Sequence, residues 1–107
     1  MIAEKASDSI DKAVAYELQN IVKNYGAVYA SEHEGYAVLL EEVQEASEAS
    51  KDMQDKLDIV WSSIRYNFSK EGIAVQLKEV AYKALALAEE AVQCAAVCER
   101  FLETVKK

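Results

Sequence analysis

The sequence predicts an all-α fold: a long antiparallel helical hairpin preceded by an N-terminal helix, forming a four-helix-type bundle on oligomerisation. Three observations carry this. The chain of 107 residues holds no Pro and only three Gly, while Ala, Glu, Leu, Lys and Val dominate, a composition that favours long helices over sheets. Apolar residues recur at spacings of three and four along nearly the whole chain. The resulting stripes are longer and wider than three helices of one chain can cover, which calls for a second subunit.

The first helix runs from about 8 to 25, after a frayed start over residues 1 to 7. Ile10, Val14, Leu18, Ile21 and Tyr25 follow at spacings of four, four, three and four, one helical face, and Gly26 suits the turn that ends it. The outer face carries Asp11, Lys12, Glu17, Gln19 and Lys23. Ser31 and Glu34 have the Ser-x-x-Glu spacing of a capping box and open the second helix, from about 32 to 67.

Tyr36, Leu39, Val43, Ala46, Ser50, Met53, Leu57, Val60 and Ile64 form an unbroken heptad seam in that helix, flanked by Leu40 and Trp61. A break near Ser50 to Asp52 is the alternative, since Ser and Asp are weak helix formers. After a link over residues 67 to 72, the third helix, from about 73 to 105, carries Ile73, Leu77, Val80, Ala84, Leu87, Ala91, Cys94, Cys98, Phe101 and Val105, with spacings alternating four and three. Leu85, Ala88, Val92, Ala95 and Leu102 widen this stripe, so the helix meets more than one neighbour. The two long helices span roughly 50 Å each at 1.5 Å per residue. The whole, 1–107, reads as a single domain, and the partner it needs is a second copy, as a dimer or tetramer.

Charge and hydropathy exclude several function classes. The formal charge is −7, with 19 acidic against 12 basic residues, so a duplex nucleic acid partner is disfavoured. No run of eighteen apolar residues exists and no apolar segment follows the charged N-terminus, so neither a membrane span nor a signal peptide is expected and the default compartment is the cytoplasm. Cys94 and Cys98, four apart on one helix, lack disulfide geometry and read as core thiols. Trp61, Tyr66 and Tyr82 could stack on a base, but their seam or near-seam positions make them core residues first.

The chemistry-bearing stretch is Ser31 to Glu48. Glu41, Glu42 and Glu45 project from one side of the second helix, at the edge of its apolar stripe. Like charges three and four apart weaken an isolated helix by a few tenths of a kcal/mol. A hard cation reverses that sign, because carboxylate oxygens are what Mg²⁺ prefers; a solvated acidic face is the plain alternative. In the third helix Glu90 borders the core beside Leu87 and Cys94. With the turn centred near residue 70, position 45 lies opposite about 95, and an allowance of one turn brings Glu90 to the level of Glu45. The four carboxylates then converge between two helices, as bundle cores build metal sites.

The phrase from His33 through Gly35 and Tyr36 to Glu41-Glu42, with Glu45 one turn on, and the second phrase from Glu90 through Gln93 to Val97 ahead of Phe101, resemble the MazG-like nucleotide pyrophosphohydrolases, especially small phage and prophage members. The resemblance covers about residues 25 to 105. It implies an all-α fold and Mg²⁺-dependent cleavage of a nucleoside triphosphate to the monophosphate and pyrophosphate. By that likeness Glu42, Glu45 and Glu90 are metal ligands, and Glu41 is a ligand or the base that orients water. The chain departs at Gln93, where the family pattern has Asp; a neutral amide ligates Mg²⁺ more weakly and supplies no charge.

His33, in the first turn of the second helix, could contact a phosphate, and Lys83, on the stripe of Glu90, could hold a triphosphate tail; each also reads as a solvated side chain. Against the hydrolase stands a non-catalytic helical assembly protein, in which the heptads mediate association and the acidic cluster is incidental.

Overall fold

A computed structural model describes all 107 residues. Three helices make up the fold: α1 Glu4–Tyr25, α2 Glu32–Arg65 and α3 Lys70–Lys106. No break interrupts α2 near Ser50, because Ala, Glu, Lys, Met and Leu around it hold the helix through the weaker Ser and Asp. Helix α1 begins about four residues earlier than the expected start at 8, taking in the segment expected to fray, at Glu4, whose charge complements the helix N-terminus. Helix α3 begins at Lys70, three residues before its first apolar seam position.

Contacts divide the chain into two compact units that share the long helices: residues 1–44 with 91–107, and residues 45–90. In the first unit, α1 ends at Gly26, whose φ of 93° suits glycine alone, and its N–H donates to the Val22 carbonyl at 2.8 Å. The link into α2 is held by the end of α3. Arg100, 7% exposed, donates from Nε to the Gly26 carbonyl (3.0 Å) and from Nη2 to the carbonyls of Tyr25 (2.9 Å) and Val28 (3.2 Å). Its guanidinium lies 4.0 Å from the centroid of the Tyr29 ring. Tyr29 is buried, donates its N–H to Thr104 Oγ1 at 2.8 Å and meets Phe101 edge-on. Buried Ala96 and Val97 complete this core.

The capping signal of Ser31 and Glu34 is realised with a shift of one residue. Ser31 Oγ accepts the Glu34 N–H at 3.1 Å, while Glu34 Oε1 accepts from Ala30 at 3.3 Å instead of from Ser31 itself. Gly35 then faces Phe101: a Cβ there would stand 2.8 Å from Cδ1 of the ring, so the close approach of α2 and α3 in this unit depends on the missing side chain.

In the 45–90 unit, the second half of α2 and the first half of α3 form an antiparallel hairpin. Asn67 sits at φ 54° and closes α2 with a Schellman pattern: Phe68 N–H to the Ser63 carbonyl at 2.9 Å, and Asn67 N–H to the Ile64 carbonyl at 3.2 Å. Ser69 caps α3 through the Gly72 N–H at 3.1 Å. Val60 and Ser63 are buried, and Ala46, Ala49, Met53, Ile73, Val80 and Leu87 are half-buried.

The heptad seam needs correction in detail. Leu57, Ile64 and Leu77 are 55%, 47% and 51% exposed, and the better-covered residues lie one position earlier: Ser63 is buried, and Lys56 and Gln76 are half-buried. The apolar stripe is wider than the contact between two helices, so part of it is left exposed. Trp61, Tyr66 and Tyr82 are likewise exposed and not core, and of the two thiols Cys98 is exposed while Cys94 is half-buried. No helix is long and apolar enough to cross a membrane.

Candidate metal centre

Glu45 and Glu90 are the two ends of the 45–90 hairpin, equidistant from its turn at residues 67 and 68, and antiparallel pairing sets them face to face. Glu42 lies one turn back along α2. The carboxylates of Glu42, Glu45 and Glu90 offer oxygens that all lie within 4.8 Å of one another. Glu42 and Glu90 are half-buried and Glu45 is exposed.

The electrostatics record the crowding. The Glu90 carboxyl is held above its ordinary value, first by lost hydration, then by the charge of Glu45, by a hydrogen bond shared with Glu45 and by the charge of neighbouring Glu89. A carboxyl beside carboxylates keeps its proton longer because ionising it adds like charge.

The donor set fits Mg²⁺. Oxygens around an octahedral Mg²⁺ lie about 3 Å apart when adjacent and about 4.2 Å apart when opposite, from metal–oxygen distances of about 2.1 Å. The observed limit of 4.8 Å is within a small side-chain rotation of that span. All three donors are hard anionic oxygens, with neither His nor Cys among them.

Of the residues expected from the sequence, three therefore come together: Glu42, Glu45 and Glu90. Glu41 is exposed and outside this group. Gln93 lies one turn after Glu90 and lines a cavity of about 440 Å³ together with Glu42. His33 is exposed at the start of α2, beside a shallow recess with Glu32, Tyr36 and Phe101. Lys83 is half-buried on α3, two turns before Glu90.

Sequence reasoning missed the cavity, which lies within the first unit. Its walls include Ile21, Val38 and Val97, Tyr25 and Tyr29, and the carboxylates of Glu17 and Glu34. The signal that pointed there was Arg100. An arginine between the Ala95–Val97 run and Phe101, on an otherwise apolar stripe, needs acceptors to be buried, and the carbonyls ending α1 supply them.

No protein-family model matches this chain, and neither a curated protein nor a solved structure does.

Proposed function

We propose that this chain is a MazG-like, Mg²⁺-dependent nucleoside triphosphate pyrophosphohydrolase, releasing a nucleoside monophosphate and pyrophosphate. The observation that carries the reading is the meeting of Glu42, Glu45 and Glu90, three carboxylates brought together at a loss that a divalent cation would reverse. Bound Mg²⁺ would neutralise charge on the phosphates and lower the pKa of a water. Glu42, Glu45 and Glu90 would hold the ion, and Glu41, exposed and four residues before Glu45, would by the family likeness orient the water that attacks the α-phosphorus, with pyrophosphate as the leaving group. Gln93, where Asp is the family's choice, contributes an amide to the wall beside Glu42 and leaves the centre with one negative charge fewer. His33 and Lys83 are the cationic or polar side chains assigned to the phosphate tail. The cytoplasm, where nucleotides and Mg²⁺ are both abundant, is the compartment this reading implies.

A homo-oligomer belongs to the same proposal. Leu57, Trp61 and Ile64 on α2 and Leu77 on α3 are each close to half exposed or more, and a second copy would cover them as a four-helix bundle does. The same exposed residues favour the second reading, a non-catalytic assembly protein.

The deciding experiment is Mg²⁺-dependent release of pyrophosphate from a full panel of ribo- and deoxyribonucleoside triphosphates, with Glu45→Gln as control. Turnover by the wild type that falls at least a hundredfold in the variant supports the hydrolase. Equal inactivity of both proteins, with no melting shift in millimolar Mg²⁺, leaves the assembly protein.

A further inference from the structure

The cavity of the first unit has a lining whose chemistry selects its occupant. Its apolar walls, Ile21, Val38 and Val97, and the rings of Tyr25 and Tyr29 offer the kind of lining an aromatic base takes. Its polar groups are mainly acceptors. Glu17 is half-buried and makes no hydrogen bond or ion pair; Glu34 uses one oxygen on the Ala30 N–H. The one cation of the lining is not available to an anion: the Arg100 guanidinium is committed to three carbonyls and the Tyr29 ring. With Glu17, Glu34 and Glu42 against Arg100, the lining repels phosphate and attracts neutral donors. An independent sign is the Tyr29 hydroxyl, which is buried without a hydrogen-bond partner although its residue lines the cavity.

We propose that this cavity takes the base of the nucleotide and that Glu17 and Glu34 select cytosine or adenine, which bear an amino group at the ring position where uracil, thymine or hypoxanthine presents a carbonyl oxygen. The inference rests on the nucleotide reading above and adds base choice to it. An amino group donates to a carboxylate. A carbonyl oxygen in its place confronts one acceptor with another, and both lose hydration without replacement. Glu42, which belongs both to the cavity wall and to the carboxylate cluster, sets the direction of the ligand: base toward Glu17, phosphates toward Glu42 and its cation.

The test is calorimetric titration of the full chain in Mg²⁺ with the α,β-methylene triphosphates of cytidine, uridine, adenosine and inosine, which are not cleaved at the α–β bond. The expected result is about tenfold to hundredfold tighter binding of cytidine over uridine and of adenosine over inosine, the range a charged hydrogen bond supplies. In Glu17→Gln and Glu34→Gln proteins the ratio falls toward one; the amide introduced by Glu34→Gln keeps an oxygen for the Ala30 N–H, so the capping contact survives. Equal binding of both members of each pair to the wild type, or preference for the carbonyl member, overturns the base assignment and leaves the pyrophosphohydrolase standing. Binding of none of the four at millimolar concentration overturns both. If a variant does not fold, the wild-type ratio alone decides.

Discussion

Replacing Arg100 by Met removes the clamp that holds the end of α1 and the link beyond it to α3. Three carbonyls lose their donor, at 2.9, 3.0 and 3.2 Å, and the Tyr29 ring loses the cation 4.0 Å from its centroid. Hydrogen bonds to a charged donor contribute about 1.5–3 kcal/mol each, and a desolvated cation–π contact about 1–2 kcal/mol. The simple sum overstates the loss. The carbonyls sit at a helix end where water can enter once the guanidinium is gone, and removing the cation also removes its own desolvation penalty. A net loss of about 3 kcal/mol is expected, which lowers the melting temperature by roughly 12–15 °C at about 4–5 °C per kcal/mol. Arg100→Lys should recover less than half, because an ammonium on a flexible stem cannot reach three carbonyls while lying flat on a ring. Urea unfolding followed by circular dichroism measures both. A Met variant within 1 kcal/mol of wild type would refute the argument that this buried cation holds the first unit together.

Other residues make separate predictions. Gly35→Ala places a methyl 2.8–3.0 Å from Phe101, and its overpacking of about 1–3 kcal/mol exceeds the gain of about 1 kcal/mol in helix propensity; Phe101→Leu should lose less in the Gly35→Ala protein than in wild type, as a double-mutant cycle reads directly. Asn67→Val should lose about 1–2 kcal/mol and Asn67→Gly little or nothing, since φ is 54° at that position, read from urea midpoints. Because Glu90 binds its proton more tightly folded than unfolded, the stabilisation is fully present below the unfolded value of 4.5 and is lost as pH rises through the elevated folded value; without Mg²⁺, Glu90→Gln should flatten that part of the stability–pH curve, and parallel curves would contradict it. Leu57→Glu, at a position 55% exposed, should leave the subunit folded by circular dichroism and shift sedimentation from an oligomer to a monomer.

The helices were legible because their signals are local. The Ser31–Glu34 pair, Gly26 and the three-four periods mark starts, stops and faces without knowledge of the partner surface. The register was legible only to about a turn. A turn centred near 70 sets residue 45 opposite about 95, whereas the Schellman closure at Asn67 moves the centre to 67 and 68 and brings Glu90 opposite Glu45. The choice of flank was not legible, since Leu57 and Lys56 are adjacent, and only the width of contact between the helices decides which turns inward. The cavity was hidden for a related reason. Glu17, Tyr29, Glu34 and Arg100 are scattered over more than eighty residues, and what joins them is the buried arginine finding carbonyls at a helix end.

Under the proposed function, the balance of charge around the site would fix an order of events. The chain carries −7, three of its carboxylates gather at one place, and the cavity lining, with Glu17, Glu34 and Glu42 against Arg100, is itself negative. A triphosphate without a cation meets repulsion at each of these, so a metal-free nucleotide has no favourable approach. Were Mg²⁺ held by Glu42, Glu45 and Glu90, the phosphate end of such a ligand would be attracted while the base end would be unaffected, because the base is neutral. The two halves of the ligand therefore respond differently to one variable. Mg²⁺ should change the affinity for a triphosphate by orders of magnitude, and it should hardly change the weaker affinity for the bare nucleoside. A nucleoside whose binding rose with Mg²⁺ as steeply as that of its triphosphate would place the base on the metal, not in the cavity beside Glu17.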